Sequence, residues 1–82
     1  MSRSQIQYAR RPDFRAVLAL LDLSDARMKG MTCREIADAS GMTRDETVSV
    51  LMKLMDAGLA RSLRPEVGPR RYFATGVHRA ER

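Results

Sequence analysis

Among side chains that do covalent or metal chemistry, the 82-residue sequence offers one cysteine, Cys33, and one histidine, His78. A single thiol and a single imidazole far apart in the chain form no evident nucleophile–base pair, so an enzyme is not expected. Nor can they close a four-ligand metal site. No glycine loop of the kind that cradles phosphates appears, so neither a metal nor a cofactor is expected. Cys33 stands at the start of a helical pattern, where it reads as a small, half-buried packing residue. One cysteine permits no internal disulfide, and nothing points to an oxidising compartment.

The arginines carry more. Arg61 and Arg64 precede a Pro-Glu-Val-Gly-Pro turn, and Arg70 and Arg71 follow it. Four guanidinium groups then share one hairpin, opposed only by Glu66. Planar forks of this kind grip phosphate oxygens and set affinity without reading sequence. The plainer alternative is a solvated basic hairpin. Charge along the chain favours the first reading: residues 1–12 sum to +3, 13–58 to −2 and 59–82 to +4, within a net +5 and a pI of 10.3. A polyanion would meet the two ends first.

The elements that must position these groups follow from spacing. Pro12-Asp13 opens a helix, with proline presetting the backbone and aspartate at the positive end of the dipole. Phe14, Val17, Leu18 and Leu21 then mark one buried face. The helix is expected to run to about Ala26, although Ser24-Asp25 offers an earlier end, with Gly30 in the connection. Thr32-Cys33-Arg34-Glu35 and Thr43-Arg44-Asp45-Glu46 are two capping boxes eleven residues apart. Between them lie a short helix, with Ile36 and Ala37 inward, and a tight turn at Gly41. The second capped helix buries Thr47, Val50, Leu51 and Leu54 and stops near Gly58. "LARSLR" and "RRYFAT" read as strands around the Pro65–Pro69 loop.

A helix-turn-helix followed by a hairpin is a winged helix: mainly α with a small β-hairpin, an α+β chain of three helices and a two-stranded wing. The stretches "MTCREIADASGMTRDETVSVLMKLMDAGLARS" and "RRYFAT", with the leading "FRAVLALLDL", resemble the winged helix-turn-helix domains of bacterial transcription regulators of the IclR and MarR types. The likeness covers about residues 13–76, flanked by a basic arm (1–12) and a polar, loose tail (77–82). It implies that Thr43 to Lys53 is the recognition helix and the Pro65–Pro69 loop the wing. Where such domains commonly carry a small polar residue and a base-contacting side chain, this chain has Glu46 and Ser49.

The expected DNA-binding set is therefore Arg34, Thr43, Arg44, Ser49 and Lys53, with Arg61, Arg64, Arg70 and Arg71 on the hairpin. Double-stranded DNA is the expected partner, together with a second copy of the chain or another protein. A different class of function competes. Val48, Met52 and Met55 lie within one arc of the second helix, beside acidic residues, and adaptable methionines suit a protein-docking stripe. Alternatively the hairpin and first helix cover Val48 and Met55, leaving Met52 as a lone exposed residue. The chain has no run apolar enough to span a bilayer and no secretion-type start, so a cytoplasmic protein is expected. No small-molecule effector domain is expected after residue 76.

Overall fold

In the computed structural model, which describes residues 3–81, helix α1 (Arg3–Arg10) precedes α2 (Pro12–Leu21). Residues 1, 2 and 82 of the expected arm and tail lie outside the described residues. The basic N-terminal stretch is thus helical, and α1 packs on α2. Its Gln5 side-chain amide donates to the Ala57 carbonyl at 2.7 Å, occupying an acceptor that a helix end would leave orphaned.

Proline stands at the first turn of α2, and Phe14, Val17, Leu18 and Leu21 are buried as their spacing requires. The helix ends at Leu21, earlier than Ala26. Leu23 turns extended, and Ser24–Lys29 starts afresh as α3. The break coincides with Asp22, whose side chain is held by residues from the far end of the chain.

Both capping boxes form. Thr32 starts α4 (Cys33–Ser40) and Thr43 starts α5 (Arg44–Asp56), each hydroxyl accepting from the third residue's amide at 3.2 Å. Glu35 and Glu46 reach back to the threonine amides at 3.0 and 3.2 Å. Gly41 closes α4 in the left-handed conformation, φ 74°. Thr47 is fully buried yet satisfied, donating to the Thr43 carbonyl at 2.8 Å. Val50, Leu51 and Leu54 join α2, Ile36 of α4, Leu59 and Ala60 in one core.

The hairpin strands are β2 (Ala60–Leu63) and β3 (Arg71–Ala74), paired from Ala60↔Ala74 to Leu63↔Arg71, so residues 64–70 form the loop. A third strand, β1 (Met31–Thr32), pairs with the other edge of β3. The wing is therefore two strands of a three-stranded antiparallel sheet, and α1 and α3 add to the three helices expected. A short 3-10 turn (Val77–Glu81) returns the C-terminal segment onto α1.

Candidate nucleic-acid interface

The sheet register assembles the site. Met31↔Tyr72 and Thr32↔Arg71 are paired, so continuing antiparallel sets Arg70 beside the start of α4. Arg34 is the second residue of α4, and Arg44 the first of α5. All three are exposed and line one open groove of about 730 Å³, together with Thr32, Asp38 and Tyr72. Three guanidinium groups, from α4, α5 and the wing loop, thus line one groove beside two helix N-termini, whose dipoles favour an anion although the capping boxes occupy part of their amides.

The hairpin arginines divide by what they touch. Arg71 is a brace: its Nη1 lies 3.4 Å from the Lys29 carbonyl, 3.5 Å from that of Gly30 and 3.9 Å from Glu35 Oε1. Hydrogen bonds from the Thr32 amide and hydroxyl, outweighing partial burial and helped by Arg71, hold the Glu35 carboxyl below its ordinary range. Arg61 stacks 4.5 Å above the Phe73 ring centre. Arg70 donates to Ser62 Oγ at 2.9 Å, bridging the hairpin while still facing the groove. Arg64 is exposed and makes no hydrogen bond or ion pair among the described residues.

The remaining expected residues sit elsewhere. Thr43 is exposed, but its hydroxyl is occupied by the capping box. Ser49 and Lys53 line a different, smaller groove of about 380 Å³ between α2 and α5, among Asp13, Asp45 and Glu46. Structure therefore separates them from the Arg34–Arg44–Arg70 group. Val48 and Met52 are exposed, at 38% and 56%, whereas Met55 is half-buried against the core. Near the N-terminus, Arg3 and Arg10 are exposed on α1, and Arg11 lies 3.8 Å from Asp13 and 4.7 Å above the Phe14 ring. Cys33 is a half-buried free thiol on the groove wall.

One polar cluster escaped sequence reasoning. His78 Nε2 meets Asp22 Oδ2 at 2.5 Å, and Arg79 donates to Asp22 Oδ1 through Nε at 2.8 Å and also through Nη2. Burial opposes ionisation of Asp22, but the His78 and Arg79 contacts prevail and hold its carboxyl below its usual value. The tail is therefore docked rather than loose. Its partners lie 56 and 57 residues apart, with no local pattern to announce them. Among the described residues, no group of three or more metal-binding side chains gathers, and no helix is long and apolar enough to cross a membrane.

A capped helix-turn-helix with a hairpin closing on it defines the winged-helix class of fold. No family model matches the sequence, and no curated protein matches it. Among solved structures, the chain is similar to a MarR family transcription regulator, with a TM-score of 0.74 and 26% identity over 95% of this chain. The chain spans half the length of that structure, which it covers to 50%. The likeness supports the MarR type of winged helix; none of the comparisons supports the IclR type.

Proposed function

We propose that this protein binds double-stranded DNA as a winged-helix transcription regulator, holding phosphates with the groove arginines and the wing. The observation that carries the reading is the convergence of Arg34, Arg44 and Arg70 on one groove beside two helix N-termini. The likeness to a transcription regulator agrees with it. Arg64 extends the grip along the wing, and Arg3 and Arg10 on α1 add positive field. Arg61 and Arg71 keep the hairpin in place and act on DNA through that geometry. Ser49 and Lys53 contribute at the margin. The protein works in association with a second copy of the chain or another protein.

A docking role for α5 has less support. With Met55 against the core, only Val48 and Met52 remain of the stripe, well short of the ~800 Å² per partner of a standard interface.

The test is a duplex-binding titration across a salt series. Binding should weaken steeply with salt, and replacing Arg34, Arg44 and Arg70 by alanine should flatten the log–log slope by about two to three units. A folded triple variant with unchanged affinity and slope would remove the groove from the interface.

A further inference from the structure

We propose that this protein holds duplex DNA chiefly by its backbone, with little dependence on base sequence. The inference rests on the DNA-binding reading above and concerns what α5 can do once it faces a groove. Base pairs are distinguished most strongly in the major groove by bidentate partners, arginine or lysine on guanine and asparagine or glutamine on adenine, whereas a carboxylate only accepts from the cytosine amino group. Helix α5 contains no asparagine or glutamine. Its start is already occupied, because Thr43 and Glu46 close on each other's backbone amides and Thr47 is buried on the Thr43 carbonyl.

The exposed residues that remain are mostly poor readers. Val48 and Met52 can meet only a thymine methyl, and a serine such as Ser49 bonds to more than one base. Asp45 could accept one hydrogen bond from a cytosine amino group, but a carboxylate also repels phosphates of every sequence, so Asp45 and Asp56 lower affinity more than they choose. Lys53 lies about 13 Å along the axis from Arg44, in the groove that also holds Asp13 and Asp45. Arg44 is left as the one well-placed bidentate reader, and one such contact discriminates roughly 5- to 150-fold. Site-specific proteins separate their target from bulk DNA by about 10³- to 10⁷-fold, which requires several readers.

The other exposed cations lie off the helix face. Arg34 and Arg70 flank the groove between α4 and the wing, and Arg64 stands on the wing loop. Those positions suit phosphates, which every duplex presents, and a wing arginine in a minor groove separates at most A·T from G·C. Affinity is thus spread over the groove and the wing, whereas selectivity rests on Arg44 alone.

The full chain should be titrated by fluorescence anisotropy against a panel of unrelated 20-base-pair duplexes, and used to select from a random duplex pool. The expected result is a spread of affinities within about tenfold, parallel salt slopes, and no selected motif longer than two base pairs. Arg44→Ala should narrow the spread further while the protein still binds. A selected motif of four or more base pairs, or a preference above about 1,000-fold, would overturn the inference while leaving DNA binding intact. A preference that survives Arg44→Ala would also overturn it, since readers would then exist that α5 does not show. No binding to any duplex at low salt would instead bring down the DNA-binding reading on which it rests.

Discussion

The root and the tip of the wing use the same residue types to opposite ends. At the root, Arg71 is held by two carbonyls and Glu35, Arg61 covers Phe73, and Gly30 fits so closely that a Cβ would meet the Phe73 ring at 2.7 Å. At the tip, Arg64 has no partner among the described residues, Val67 is 89% exposed, and a Cβ on Gly68 would meet nothing within 4 Å. A basic hairpin is therefore not one kind of feature. Guanidinium groups already engaged by the protein maintain shape, and those left unengaged are available to a ligand.

The largest expected contrast lies in the two glycines. Both have positive φ, 73° at Gly30 and 104° at Gly68, so alanine is strained at either. Only Gly30 adds a clash. Gly30→Ala should cost about 3 kcal/mol or more in urea denaturation, against about 1 kcal/mol for Gly68→Ala. Equal losses would erase the distinction between root and tip.

The two arginines provide the next contrast. Arg71→Ala should lower stability by about 1 kcal/mol through its lost hydrogen bonds. Arg64→Ala should stay within about 0.5 kcal/mol, as exposed substitutions do, yet weaken DNA binding and reduce the salt slope by about one unit. Denaturation and titration of both variants check this; the reverse pattern would mean that root and tip have been assigned the wrong way round.

Acid should act on the root as well. Glu35 has its carboxyl lowered in the folded state from an ordinary 4.5, so its contribution is fully present above that pH. It is lost as pH falls through the lower folded value. Asp22, lowered from 3.8, behaves likewise and adds the tail contact. Melting temperature should therefore fall as pH drops below 4.5, and further as it drops below 3.8. The Glu35→Gln variant should show a shallower fall, and an identical acid limb would show that the Arg71–Thr32–Glu35 arrangement carries no charge-dependent stability.

The smallest effect on folding is expected on α5. Met52→Asp should change stability by less than about 0.5 kcal/mol, because the residue is already more than half exposed. It should weaken DNA binding by placing a carboxylate toward phosphates. Loss of a co-purifying partner with DNA affinity intact would favour docking instead.

Sequence carried the helix-turn-helix well because its determinants are local. Each capping box spans four residues, Gly41 marks the turn, and the apolar spacing of α2 and α5 selects the faces that are buried. What it could not carry is long-range. Strand β1 is two residues long, too short for any periodicity, and exists only because β3 accepts it. The break after Leu21 coincides with Asp22 meeting His78 and Arg79, 56 and 57 residues further along the chain. For the site, residue types were legible and grouping was not. Arg34 and Arg44 come to one groove through the α4–α5 turn and Arg70 through the β1–β3 register, whereas Ser49 and Lys53, near Arg44 in sequence, turn to another groove.

That register also has a kinetic meaning. Pairing β1 with β3 joins residues about 41 apart, while β2 and β3 are neighbours across a seven-residue loop and α4–α5 is a local unit. Closing the longer loop forfeits more chain entropy before any contact is gained, so it belongs late in folding. The two-residue ladder of β1 is correspondingly the first to open. Amide exchange at Met31 should outpace exchange at Leu51 and Leu54, and each opening would loosen the β1–β3 pairing that carries Arg70 alongside Arg34.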